Sequence, residues 1–177
     1  MRRAIRAKTR AKPRGIRRGT PGALLPLVLV LTVSGPAQAQ YQQKIGNDSA
    51  RCTAGAGPAV KVTVKGIEGS IGTLRVQSYR ATEGDWLKKG RWVNRIELPA
   101  RAGAMVFCVP LPSAGSYAIA VRHDANGNGK TEISSDGGGM SNNPAITIFN
   151  LGKPNYRKTA FAVGDGVTAI QITMKYM

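Results

Sequence analysis

Short segments in which apolar and polar residues alternate recur along this chain from about residue 60 to its end. In the last of them, Ile170, Ile172, Met174 and Tyr176 alternate with polar residues. A period of two places the apolar side chains on one face of a half-buried β-strand. We therefore predict about seven strands, around residues 60–64, 74–77, 93–98, 105–109, 117–121, 159–163 and 170–176.

Glycine and proline separate these segments, and no convincing amphipathic helix lies between them. This pattern is typical of an all-β fold, and we predict a single antiparallel β-sandwich over residues 59–177. The run Met105 to Val109 is apolar throughout, which predicts a central strand. Residues 122–158 break the pattern because they are polar and rich in glycine, and a loop of this length is usually functional or disordered.

Residues 1–39 have the pattern of a secretory signal peptide. Nine Lys and Arg residues and no acid come first, followed by an apolar run at 23–33 and the small residues Ala37 and Ala39. The run is shorter than the roughly 20 residues of a transmembrane helix. We predict cleavage before Gln40 and export to the periplasm or the cell exterior, with no transmembrane anchor left; an uncleaved anchor is the alternative. Residues 40–58 would form a loose lead-in.

Loss of the leader changes the charge of the protein. The whole chain has a net charge of +17, and +8 remains once the nine basic residues of the leader are removed. The remaining part has no basic run interleaved with aromatic residues, so we predict no binding to nucleic acid. Its two cysteines, Cys52 and Cys108, are predicted to form a disulfide in an oxidising compartment.

The most informative stretch follows the segment at 117–121. Oxygen-bearing side chains occur at alternate positions, followed by a glycine, as in loops that bind calcium. The candidate metal ligands are Asp124, Asn126, Asn128, Lys130 through its carbonyl, Glu132 and Asp136. The glutamate that would close such a loop is absent, so we expect a weak site, with a Kd on the order of 10⁻⁴–10⁻³ M. The same residue types also form tight turns without metal, and both interpretations stay open.

One family shares this stretch. Leu111-Pro112, Gly115 and Tyr117-Ala118 precede a strand that ends in His123-Asp124, and Ser141-Asn142-Asn143 comes later. From about Val60 to Tyr176 the chain resembles domain-of-unknown-function family 2141 of exported bacterial proteins. The resemblance implies a signal peptide and a small transthyretin-like or immunoglobulin-like sandwich, but no activity. The chain departs from the family pattern at Thr131-Glu132 and in a shortened insert at 133–140.

Other residues with chemical potential carry weaker signals. Trp86, Trp92, His123 and Asn142 are candidates for a ligand surface. The tryptophans could stack on sugars if exposed, but packing as core or edge anchors is favoured. Asp124 should point away from the neighbouring His123 along a strand, which argues against a catalytic pair and favours a structural histidine.

These observations favour a non-catalytic binding or accessory module that contacts an unknown envelope or extracellular ligand and uses calcium to order its loop. Two alternatives remain, a structural envelope protein without metal and a small hydrolase of an envelope polymer.

Overall fold

The computed structural model describes residues 41–132, 134–147 and 152–177. The predicted signal peptide lies outside these residues. The described residues contain nine strands, namely β1 Gln43–Lys44, β2 Ala59–Ile67, β3 Thr73–Arg80, β4 Trp92–Pro99, β5 Gly103–Pro110, β6 Gly115–Asp124, β7 Gly137–Met140, β8 Phe161–Val163 and β9 Val167–Thr173. A 3-10 helix at Ser49–Cys52 and one short α-helix, α1 at Tyr156–Thr159, complete the described elements.

The strands form two sheets, which confirms the all-β prediction. The six-stranded sheet has the order β1-β4-β3-β6-β7, and β8 pairs with the other end of β6. The three-stranded sheet has the order β5-β2-β9. Two pairings are parallel, β1 with β4 and β2 with β9, so the sheets are mixed and not purely antiparallel as predicted.

Two details of the predicted strand pattern were wrong. The apolar run in β5 forms an edge strand, and its Val106 is 51% exposed. The centre of that sheet is β2, which hydrogen-bonds to a strand on each side. Strand β7 lies within the stretch predicted as one long loop, and together with β1 it raises the number of strands from about seven to nine.

One hydrophobic core joins the two sheets. Val60, Val62 and Val64 of β2 contribute their alternate side chains from one sheet, and Ile119 and Val121 of β6 contribute theirs from the other. All five are fully buried or nearly so. Burial of both facing surfaces in a single cluster is the defining property of a sandwich.

The segment predicted as a loose lead-in contains short ordered elements. Strand β1 pairs with β4, and the cap of the 3-10 helix is Asp48, whose side chain accepts a hydrogen bond from the amide of Ala50. The predicted disulfide is present, with the Cα atoms of Cys52 and Cys108 5.7 Å apart. It ties this segment to β5.

The face of the six-stranded sheet that points away from the main core, here called the outer face, is partly covered. Tyr79, Trp92 and Met140 of this face form a second buried cluster with Trp86, which comes from the segment between β3 and β4. At the other end of the face the residues become charged, with Arg75 on β3 opposite Arg122 on β6. Among the described residues, no helix is long and apolar enough to cross a membrane.

Candidate functional site

The loop that follows β6 is positioned by the alternation of the strand. His123 and Asp124 are the last two residues of β6 and point to opposite sides. The side chain of His123 enters the region between the sheets, and that of Asp124 turns toward Arg122 and the loop. The sequence prediction that these two residues do not form an orienting pair agrees with this geometry.

Backbone amides of the loop are bound by the side chains predicted as metal ligands. Asp124 Oδ2 accepts a hydrogen bond from the amide of Gly129 at 3.0 Å, and Asn126 Oδ1 accepts one from Asn128 at 3.0 Å. Asn128 Oδ1 accepts one from the amide of Lys130 at 2.7 Å. Gly127 and Gly129 have φ angles of 69° and 75°, which explains the need for glycine at both positions. The loop therefore contains the side-chain-to-amide hydrogen bonds that the turn interpretation predicts.

The far side of the loop is held by the two remaining acids. Glu132 Oε2 accepts hydrogen bonds from Asn126 Nδ2 at 2.8 Å and from Ser135 Oγ at 3.1 Å. The hydrogen bond from Asn126, followed by the one from Ser135, lowers the pKa of Glu132. Asp136 Oδ2 accepts from the amide of Glu132 at 3.0 Å, so the two ends of the loop are linked through Asn126 and Glu132.

Two carboxylate oxygens of this loop have no hydrogen-bond partner within the described residues. They are Oδ1 of Asp124 and Oδ1 of Asp136, and both atoms are buried. The residues themselves are only 5% and 7% exposed. A buried anionic oxygen without a partner is costly, by more than the 1–3 kcal/mol of a neutral group, and therefore points to a missing counter-charge or donor.

Arg122 supplies a cation at the same place. Its Nη2 lies 3.1 Å from Asp124 Oδ2, and its Nη1 donates to Thr131 Oγ1 at 2.7 Å and to the carbonyl of Gly129 at 3.3 Å. Burial, followed by the charge of Arg75, lowers the pKa of Arg122, while Asp124 and Asp136 oppose that effect. The sequence analysis did not single out Arg122; its position two residues before Asp124, on the same face of β6, was the available signal.

The oxygens of the loop are of the type that a hard cation takes, namely carboxylate, amide and main-chain carbonyl oxygens. The side chain of Lys130 is exposed, and its amide is already bound to Asn128. In the part of the chain that the structure describes, no three His, Cys, Asp or Glu side chains come together as a metal site. A cation here would rely on Asp124, Asp136 and neutral oxygens.

His123 is a buried structural residue. Its Nε2 lies 2.8 Å from the carbonyl of Ile71, and its Nδ1 lies 2.8 Å from the hydroxyl of Tyr176. Because a carbonyl only accepts, Nε2 carries the proton and Nδ1 accepts from the tyrosine. The same hydroxyl accepts from the amide of Glu68 at 3.2 Å. The prediction of a structural histidine is consistent with these contacts, and the residue is only 1% exposed.

The two tryptophans are also buried. Trp86 is 7% exposed and Trp92 is 6% exposed. Trp86 Nε1 donates to the carbonyl of Pro154 at 2.8 Å, and its ring makes an edge contact with Tyr79. The guanidinium of Arg95 covers the ring of Trp92 at 4.2 Å. An exposed sugar-stacking platform is therefore excluded for these two rings.

Ser141, Asn142 and Asn143 connect three segments of the fold. Ser141 Oγ accepts from the amide of Ile119 at 3.0 Å. Asn142 is exposed, but its amide nitrogen donates to the carbonyl of Ala160 at 2.8 Å. Asn143 Oδ1 accepts from the amide of Thr173 at 2.8 Å. These contacts join the end of β7 to β6, to the segment before β8 and to β9, and they give Asn142 a structural role.

A groove of about 370 Å³ adjoins the loop. Its floor is the outer face of β3, β6 and β7, and its walls come from the segment between β3 and β4, the loop and the C-terminal residues. Arg122, Glu132 and Asp136 line the groove and also take part in the hydrogen bonds of the loop. The sequence analysis missed this groove because its walls come from segments that are distant along the chain.

Comparison with known proteins supports the resemblance noted in the sequence. The model of a family described as an uncharacterised protein conserved in bacteria, DUF2141, matches residues 62–171, which is more than half of the chain. No curated protein and no solved structure matches this chain.

Proposed function

This chain belongs to domain-of-unknown-function family 2141, and we propose that it is an exported, non-catalytic binding or accessory module whose loop at 124–136 takes up a calcium ion. Calcium would order the loop, and the loop would shape a contact surface at one end of the sandwich. Loops at the ends of rigid β-sandwiches are a common location for binding.

The main support for a bound cation is the pair of buried carboxylate oxygens that have no hydrogen-bond partner among the described residues. Oδ1 of Asp124 and Oδ1 of Asp136 belong to residues near the two ends of the loop, and both carboxylates interact with Arg122. Arg122 neutralises one of these two charges, so an additional cation is favoured electrostatically. Amide and carbonyl oxygens of the same loop would supply neutral ligands for calcium.

One contact favours a second candidate function, a structural envelope protein without metal. Arg122 already bonds the carbonyl of Gly129, the hydroxyl of Thr131 and the carboxylate of Asp124. In this alternative the guanidinium closes the loop in place of a metal ion, and the loop is a rigid turn.

Thermal unfolding of the oxidised protein in chelator, in 10 mM calcium and in 10 mM magnesium tests the proposal. If the Kd is on the order of 10⁻⁴–10⁻³ M, calcium at this concentration stabilises the native state by about 1.4–2.7 kcal/mol. The Tm should then rise by about 4–10 °C. Asp124→Asn should abolish the rise. Asp165→Asn, which removes an exposed carboxylate between β8 and β9, should retain it.

Two outcomes separate the candidates. A calcium-selective rise that Asp124→Asn abolishes supports the metal-ordered module. Absence of any calcium effect, together with a large loss of stability in Arg122→Gln in every buffer, supports the structural alternative and contradicts the calcium proposal.

A further inference from the structure

The floor of the groove is bare at one position. Gly138 pairs with Arg122 across β6 and β7, and an added Cβ there would meet only the Cδ1 of Ile146, at 4.0 Å. Its φ angle is not in the left-handed region, so the backbone does not require glycine. The neighbouring Gly137 and Gly139 differ, because a Cβ at either position would overlap with a side chain between the sheets. Packing therefore does not require glycine at position 138, and the missing side chain leaves the groove open.

The lining of the groove combines apolar and charged residues. The larger apolar members include Tyr79, Leu87, Met140 and Ile146. Pockets that bind small molecules combine apolar walls with a few charged groups that orient the ligand, and their volumes start near 300 Å³. The groove, at about 370 Å³, suits a ligand of roughly ten non-hydrogen atoms or somewhat more.

The groove is lined by charged side chains of both signs. Arg122 is already paired with Asp124, and the other charged side chains are the two lysines Lys153 and Lys175 and the two carboxylates Glu132 and Asp136. Each carboxylate has an oxygen bonded to the loop, Glu132 to Asn126 and Asp136 to the amide of Glu132. Lys153 and Lys175 are exposed, and neither makes an ion pair with another described residue. Both lysines are thus available to a ligand.

We propose that this groove is the ligand site of the module and that it binds a small monocarboxylate with an apolar body. The carboxylate would lie against Lys153 and Lys175, and the apolar body would lie over Gly138 against Tyr79, Leu87 and Met140. This inference rests on the proposed function as a binding module, but not on calcium.

Isothermal titration calorimetry with octanoate tests the proposal, with octylammonium as the probe of opposite charge. The protein is expressed from its full-length sequence and titrated in oxidised form, in chelator and in calcium. We expect octanoate to bind at least tenfold more tightly than octylammonium. Equal affinities would overturn the proposal, because they would mean that the lysines do not select an anion.

Matched variants locate the site. Gly138→Leu places a side chain on the floor and should weaken octanoate binding more than tenfold, whereas Gly164→Leu, at an exposed and open position, should not. Lys175→Gln should weaken it about two- to fivefold, and Lys61→Gln, on the other sheet, should leave it unchanged. Unchanged binding in Gly138→Leu would overturn the proposal. If that variant fails to fold, unchanged binding in the Lys153→Gln/Lys175→Gln double variant would do so.

The two buffers separate this inference from the calcium proposal. If octanoate binds selectively in both buffers and calcium does not change the Tm, the groove proposal is supported and the calcium proposal is contradicted. If calcium raises the Tm but octanoate does not bind selectively in either buffer, the calcium proposal is supported and the groove proposal is contradicted.

Discussion

Three consecutive glycines in β7 offer a sharp test of the arrangement of the two sheets. An added Cβ at Gly139 would lie 2.7 Å from Cγ2 of Ile172 and 3.2 Å from the sulfur of Met174. Both of these side chains belong to the main core and are almost fully buried. The substitution Gly139→Ala therefore requires either β7 or the C-terminal segment to move. Gly138→Ala, one residue earlier, points its new methyl group into the open groove.

The difference between these two variants isolates the packing cost. Replacement of glycine by alanine stabilises a compatible position by about 0.4–1 kcal/mol through the unfolded chain, and both variants share this gain. Overpacking of a filled core costs about 1–3 kcal/mol. We expect Gly138→Ala to be neutral or slightly stabilising, and Gly139→Ala to be less stable than Gly138→Ala by about 1–3 kcal/mol.

Urea unfolding of the two oxidised variants, followed by far-UV circular dichroism, measures this difference directly. With m values of about 1–3 kcal/mol/M, the midpoints should differ by roughly 1 M. Equal midpoints would refute the reasoning, because they would mean that the two sides of β7 are packed alike. A greater loss of stability in Gly138→Ala than in Gly139→Ala would mean that the core packs against the side of β7 that Gly138 faces, which contradicts the structure.

Two further predictions follow from the disulfide and from one buried tyrosine. The bridge between Cys52 and Cys108 joins residues 56 positions apart, so the Cys52→Ser/Cys108→Ser double variant should lose about 4 kcal/mol of unfolding free energy in urea; a loss below about 1 kcal/mol would contradict the loop-entropy estimate. Burial raises the pKa of Tyr79 to about 12, against the opposing charges of Arg95 and Arg75. Since the unfolded chain releases this proton near pH 10, the resulting stabilisation, on the order of 2–3 kcal/mol, is present below pH 10 and is lost as the pH rises to about 12. Absorbance at 295 nm should show a late-titrating tyrosine that is absent in Tyr79→Phe, and normal titration of all tyrosines in the folded protein would contradict the burial.

The sequence was sufficient for features that depend on local pattern. Alternation in segments such as the one containing Ile170 and Ile172 predicted the all-β class, because strand periodicity is written directly in neighbouring residues. The spacing of Asp124, Asn126 and Asn128 predicted a tight loop, because each of these side chains binds an amide only two to five positions away. Both cysteines could be paired because only one pairing exists.

The sequence misled where the neighbours of a segment decide its role. The apolar run at Met105–Val109 resembles a central strand, yet it lies at an edge because the parallel pairing of β9 with β2 occupies the other side. The glycines at 137–139 resemble a loop, yet they form a strand that pairs with β6, and the side chains of Tyr176 and Ile172 leave no room for a Cβ at Gly137 and Gly139. Glycine has no side chain to produce a strand pattern, so the cause could be found only in its neighbours.

The candidate site divides in the same way. The sequence by itself determined the all-β class, the disulfide and which oxygen-bearing side chains lie in the loop, because these depend on short-range pattern and on residue type. Only the tertiary structure decided that Arg122 enters the loop and that His123 is held between Ile71 and Tyr176. It also decided that an oxygen of Asp136 is buried with no partner in the described part of the chain. It also created the groove over Gly138, whose walls come from segments far apart in the chain. Charge pairing, burial and cavities depend on which distant residues meet, and that information is set by the packing of the two sheets.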